Sequence, residues 1–255
     1  RIYRKELNNT SVLQPVGMVD GDSLSFVDSM LYCNIEYSYR IEGIEAQGNQ
    51  QVSFSDTANA IPEWDYLPPP NKLIRATVED DLEILVEWDS SHNSIIPIEK
   101  YILEKSRDGI LYSKIYEGDE KTFEYLDKNV WVDDYSYFYR TYAVDECNDT
   151  TNIWNYGKTI LLDADTSADQ RPQLDWSHYE GWTEDITYYA VEIENSDHSF
   201  SEIATFPTLD TRFRDLITDL NQRPNYCYRI VAYKDLVVGK PQIISISNED
   251  CSPVR

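Results

Sequence analysis

Tyr226-Cys227-Tyr228-Arg229-Ile230-Val231-Ala232 is the stretch on which the fold turns, because the chain carries its plan three times. Tyr137-Phe138-Tyr139-Arg140-Thr141-Tyr142-Ala143 and Tyr37-Ser38-Tyr39-Arg40-Ile41-Glu42-Gly43 repeat it. In each copy a Tyr, a second Tyr, an Ile or Thr, and an Ala or Gly fall at alternate positions. Alternation with period two puts those side chains on one face of a strand, and that face belongs against a core. The second tyrosines, Tyr39, Tyr139 and Tyr228, stand 100 and then 89 positions apart, so each copy has the span of a small domain.

Other landmarks keep step with the phrase. Phe26-Val27-Asp28, Tyr125-Leu126-Asp127 and Phe213-Arg214-Asp215 precede it at similar intervals. Trp88 and Trp176 each lie 13 residues before a tyrosine, Tyr101 and Tyr189, that opens a further apolar alternation. The composition agrees: 20 Tyr, 7 Phe and 6 Trp favour pleated sheet, while 2 Met and no helical periodicity argue against a bundle.

In combination these elements resemble fibronectin type III, whose sandwich carries a Trp on strand B, an aromatic opening strand C and a Tyr-rich strand F. The resemblance covers nearly the whole chain and implies an all-β protein of tandem fibronectin type III (immunoglobulin-like) β-sandwiches, the first one incomplete. It implies a partial module over 1–62, holding strands C to G, and modules over 71–163 and 169–255. The first opens at Ile2-Tyr3-Arg4-Lys5, matching Leu103-Glu104-Lys105 on strand C, so its strands A and B are expected upstream. Pro68-Pro69-Pro70 reads as a stiff linker, and Asp163 to Asp169 as a second linker or long turn. Leu31, Trp131 and Leu220 hold the family's core Leu position, six residues before Tyr37, Tyr137 and Tyr226. Those three tyrosines are then expected to form tyrosine corners, bonding the backbone near the E–F turn. Arg40, Arg140 and Arg229 point outward on strand F, where Arg140 and Arg229 are expected to pair with Glu104 and Glu192 on strand C.

Strands F and G form an antiparallel hairpin in this fold, turning near Val237-Val238-Gly239. Cys227 and Cys251 then lie side by side and are expected to form a disulfide. Cys33 and Cys147 belong to different repeats and are expected not to pair with each other, Cys33 being left to bond elsewhere. The spacing offers no zinc site and points to an oxidising compartment. More narrowly, Ile-Tyr-Arg-Lys, Phe-x-Asp and Tyr-x-Tyr-Arg-Ile are similar to repeats of large Bacteroidota surface proteins. In those, such repeats precede a gliding-motility-associated C-terminal domain that serves as the sorting signal of the type IX secretion system. The resemblance implies an extracellular place on the outer cell surface.

The net charge is −24, from 46 acidic and 22 basic residues, a field that repels nucleic acid and anionic membrane. No stretch approaches a membrane span. His92, His178 and His198 are not at ligand spacing, and no nucleophile elbow, zinc-binding helix or phosphate loop occurs. No catalytic residue and no cofactor are therefore expected. Asp163, Asp165 and Asp169 are the calcium candidates, weighed against a solvated acidic segment. Trp154, Tyr179 and Trp182 stand outside the core pattern and are the candidates for stacking on sugar rings. The contrary reading places Trp64 at an inter-module joint and Trp154 in its own F–G loop. The expected role is a non-catalytic spacer or stalk whose partners are other domains of the same polypeptide. The alternatives are an adhesive or glycan-binding module, with surface glycans or proteins as partners, and a component of a secretion or motility assembly.

Overall fold

A computed structural model describes residues 1–253 except 9–10, 30, 46, 49–50, 63–66, 183–185, 208–209, 217–224 and 235–241. Trp64, Leu220 and the turn at 237–239 lie outside the described residues. Every regular element described is a β-strand. By its contacts the chain divides into one unit of residues 1–67 with 146–148 and another of 68–145 with 149–255.

The first unit carries β1 (Ile2–Glu6), β2 (Gln14–Gly17), β3 (Tyr37–Ile44), β4 (Val52–Phe54) and β5 (Ala58–Ala60). They form one antiparallel sheet in the order β2-β1-β3-β4, with β5 also on β3. Ile2 faces Ile41 and Arg4 faces Tyr39 across β1 and β3, the strand C and strand F pairing that the sequence register anticipates. The face that should be core is open. Ile41 is 55% exposed, whereas Thr141 and Ile230 at the same place in the other copies are 1% and 0% exposed. Residues 18–26 cross this face and leave a groove of about 860 Å³ lined by Ile2, Leu24, Phe26, Ile41 and Val52. The first sandwich is thus half a sandwich.

The second unit holds two complete ones. In module two, β6 (Leu73–Glu79), β7 (Glu83–Trp88) and β10 (Glu124–Asp127) make one sheet. The other is built from β8 (Ile98–Ser106), β9 (Ser113–Asp119), β11 (Phe138–Asp145) and β12 (Tyr156–Lys158). Ile84, Val86 and Trp88 alternate inward from the first and meet Tyr101, Leu103 and Tyr139 from the second. Each buried aromatic ring removes some 150–250 Å² from water, a gross gain of about 4–6 kcal/mol. Asp80 and Asp81, both at positive φ (50° and 56°), are the central pair of the turn between β6 and β7, which the Leu82 amide closes on the Glu79 carbonyl at 3.1 Å. This mirror-image turn matches the natural twist of a hairpin.

Module three repeats the plan. One sheet is β13 (Leu162–Thr166), β14 (Pro172–Trp176) and β17 (Arg212–Arg214). The other is β15 (Ile186–Glu194), β16 (Phe200–Phe206) and β18 (Asn225–Lys234), with β19 (Ile244–Ile246) and β20 (Asp250–Pro253) both on β18. The acidic stretch read as a linker is therefore a strand and its turn. Leu162 and Ala164 face the core of module three, so Asp163 and Asp165 fall on the solvent face of β13. Composition misled here because an edge strand with one solvated face alternates acidic and small residues, as a loop also does. The prolines likewise belong to the second unit, where the Ser91 hydroxyl donates to the Pro69 carbonyl.

One interaction recurs in all three repeats and explains the aspartates that keep step with the phrase. Tyr39, Tyr139 and Tyr228 donate their hydroxyls to Asp28, Asp127 and Asp215 at 2.8, 2.9 and 3.0 Å. Asp127 is 2% exposed and also meets the Lys105 ammonium at 2.7 Å. Arg4 makes the equivalent contact to Asp28 at 2.9 Å. Burial, then the neighbouring Asp127 charge, pushes the Tyr139 hydroxyl well above its ordinary pKa, so it remains a donor. Tyr139→Phe removes that donor from a buried carboxylate, and urea denaturation should show a loss of about 1–3 kcal/mol from the second unit. An unchanged midpoint would mean the bond carries no stability.

Candidate functional site

The side chains set apart by sequence gather at the joint between modules two and three. Strand β6 lies at the edge of its sheet and offers backbone groups with no strand to pair them. Module three supplies the partners. The Tyr179 hydroxyl accepts from the Ala76 amide at 3.2 Å, and the Trp182 indole donates to the Ile74 carbonyl at 2.8 Å. From β19, the Ser245 hydroxyl donates to the Ala76 carbonyl at 2.8 Å. The Ile246 amide donates to the Thr77 hydroxyl at 2.9 Å. Arg75 reaches the Ile244 carbonyl at 3.2 Å. Ala76, Thr77 and Ser245 are all buried. In a site closed to water each bond is costly to lose, because its partner is then stranded.

A second row of contacts extends the joint along β12. The Lys158 amide donates to the Glu180 carbonyl at 2.8 Å. Glu180 also takes the Lys158 ammonium at 2.9 Å and the Tyr156 hydroxyl at 2.8 Å. Asn155 clamps the Leu73 backbone through both amide atoms and donates to the Gly181 carbonyl at 2.8 Å. Asn248 holds Leu162 in the same way, so this clamp of strand A is a second repeated device. Gly181 sits at φ +121°, where a Cβ would overlap the Tyr156 carbonyl and fall 2.7 Å from the Gly157 Cα. The approach needs a residue with no side chain. Gly181→Ala should part the two modules while leaving both cores intact. Small-angle scattering should then detect the added freedom, and thermal unfolding should split into two steps.

Acidic groups close the far end. The Glu249 amide donates to Asp81 Oδ1 at 2.6 Å, beside a cleft of about 120 Å³ that Arg229 also lines. Burial, and then the charges of Asp133, Glu249 and Asp250, push the Asp81 carboxyl up to about 6 against the opposing amide bond. Burial also raises Asp133 and Glu249. A carboxyl whose folded pKa is raised costs stability when ionised. That cost is complete above about pH 6 and fades as pH falls toward the ordinary value. Asp81→Asn keeps the acceptor and removes the charge. Its melting temperature should exceed that of the parent at pH 7.5, and the difference should shrink by pH 5; an equal difference at both would overturn the charge argument.

Tyr179 and Trp182 are thus structural here rather than open to sugars, Tyr179 being buried and Trp182 packed on it at 4.3 Å between ring centres. They fell outside the core alternation because they serve the joint. Trp154 lies between β11 and β12 and is 60% exposed. The Tyr37 and Tyr137 hydroxyls accept from the Tyr32 and Trp131 amides at 2.9 and 3.0 Å. Tyr226 is buried, with its loop outside the described residues. Trp131 does not take the core Leu place: it is 61% exposed and the next residue, Val132, is buried instead.

Arg140 and Arg229 meet Glu104 and Glu192 across the strands at 2.6 and 2.7 Å, as their register requires. They also lie over Tyr112 and Phe200. Arg40 instead faces Tyr3 and stacks on Phe54. Asp163 and Asp165 stand opposite Asp175 and Gln173, while Asp169, in the β13–β14 turn, pairs with Arg214. Among the described residues no three His, Cys, Asp or Glu are grouped to hold a metal ion. His92 contacts Ser90 at 2.9 Å and Asp89 at 3.2 Å, a relay-like set on an exposed turn where water competes for each bond.

Cys227 and Cys251 face each other on β18 and β20 and are joined. Cys33 and Cys147 are joined as well, contrary to the expectation that they do not pair. That expectation treated the repeats as closed units. Residues 146–148, just past β11, belong with the first unit, and Asn34 donates to the Cys147 carbonyl at 3.3 Å.

No protein-family model matches the sequence, and no curated protein matches it. Among solved structures it is similar to a two-domain fibronectin type III segment of chicken tenascin. The identity is 10% over 71% of this chain and 97% of that one, with a TM-score of 0.30. It is similar to the FN1–FN3 domains of chicken CNTN1 at 12% identity, over 97% and 89% of the chains, with a TM-score of 0.32. A β-1,2-glucanase from Parabacteroides distasonis is 22% identical over 44% of this chain and 16% of its own, with a TM-score of 0.30. The chain is a tandem of fibronectin type III-like sandwiches, as its own strand order requires.

Proposed function

We propose that the chain is a non-catalytic spacer segment of a modular extracellular protein, acting through geometry and mechanical continuity. The observation that carries this is the polar seam, in which β6 and β19 satisfy one another's backbone and hydroxyl groups. A joint of buried, directional bonds transmits orientation, whereas a flexible linker loses it. Two disulfides using all four cysteines fit an oxidising compartment. The finer reading places the chain on the outer cell surface after export by the type IX secretion system; its support is the likeness of its phrases to Bacteroidota surface repeats. The partners are then neighbouring domains of one polypeptide.

Trp154, exposed on the loop before β12, favours one second reading, a module that stacks on surface glycans. The full chain applied to a glycan array and to intact cells separates the two. The spacer reading expects no saturable binding. Saturable binding abolished by Trp154→Ala would replace it with the adhesive one.

A further inference from the structure

The two disulfides define what an end-to-end pull can reach. Cys33 and Cys147 are 114 positions apart, and Cys227 and Cys251 are 24 apart. Tension along a polypeptide follows the shortest covalent route, so a bridge carries it directly from one sulfur to the other. The residues between the two cysteines then form a closed loop outside the force path.

The first loop contains β3 to β5, the Pro68–Pro70 run and the whole of β6 to β11. Of module two's strands, only β12 follows Cys147 and lies on the route. The second loop contains the greater part of β18 and all of β19, the strand that makes the seam.

We propose that these bridges are extension stops: covalent shunts that keep most of module two and the F–G half of module three from being drawn out under load. An extended chain spans roughly 3.3–3.6 Å per residue. The first bridge therefore withholds roughly 400 Å of contour and the second roughly 80 Å. The role attributed to them rests on the spacer reading, because only a load-bearing segment uses such a stop. The withheld length itself does not depend on that reading.

The experiment is single-molecule extension of the full chain, held at its two ends, with and without a thiol reductant. Complete unfolding in oxidising buffer should give a contour roughly 480 Å shorter than in reductant. The double variant Cys33→Ser with Cys147→Ser should recover roughly 400 Å of this in oxidising buffer. Cys227→Ser with Cys251→Ser should recover only roughly 80 Å. Fully drawn contour does not require a variant to fold, so each arm reports whatever the stability of the protein. Equal contours for the parent and the Cys33–Cys147 double variant would overturn the proposal. A glycan-binding result would instead remove the spacer role and leave these lengths unchanged.

Discussion

A sheet face rich in tyrosine can be buried only if each phenol hydroxyl is given somewhere to donate. An unpaired hydroxyl in an apolar interior costs on the order of 1–3 kcal/mol. This chain meets the constraint in the same way three times, with an aspartate on the strand E segment facing the second tyrosine of strand F. In modules two and three the bond crosses the sandwich and so ties one sheet to the other. Asp28 binds Tyr39 in the first repeat as well, where among the described residues no strand pairs with its segment. In the first two repeats the first tyrosine of the phrase has a different task, its hydroxyl holding the loop that leads into strand F. Two phenols, two positions apart, thereby secure a strand and its approach.

The same accounting, applied to backbone groups, explains the seam. A free edge such as β6 has to be blunted, covered or paired. Here it is covered by single side chains and by part of a strand from the next module, each supplying one matched donor or acceptor. Such a joint is specific because every bond has one partner at one distance. It is also sensitive, since Gly181 has to lie against the Tyr156 carbonyl for the two rows of contacts to form together. The clustered carboxylates at its far end oppose it at neutral pH, so packing and electrostatics pull in opposite directions within one interface.

Much of the fold was legible in the sequence because period-two alternation and repeat spacing are local signals. The phrase around Tyr139, the tryptophan of strand B and the outward Arg140–Glu104 pair all follow from them. The aspartates were visible as landmarks, yet their purpose was hidden, since hydrogen bonding between sheets leaves no mark beyond a spacing. The seam was illegible for a physical reason: Ser245, Thr77, Asn155 and Gly181 are small or polar and look like loop residues anywhere. Tyr179 and Trp182 showed as aromatics without a core position, which is equally the signature of a ligand platform. Val132 took the core place expected of Trp131, in a loop that differs from that of the first repeat: Tyr137 holds the amide of Trp131, six residues before it, whereas Tyr37 holds that of Tyr32, five before it. The Cys33–Cys147 pairing was beyond reach, as connectivity among four cysteines is not encoded in their spacing.

Non-covalent and covalent devices divide the labour in this chain by length scale. The Tyr–Asp bonds act within one sandwich and the seam acts between two adjacent ones, and both yield when a few kcal/mol are supplied in the right direction. The disulfides act over 114 and 24 positions and yield only to chemistry. The first encloses nearly all the strands of module two, and the second encloses β19, which makes three of the five bonds to β6. With β19 inside a closed loop, the strand that covers the edge of β6 stays tethered to its own module, between the bridged ends of β18 and β20.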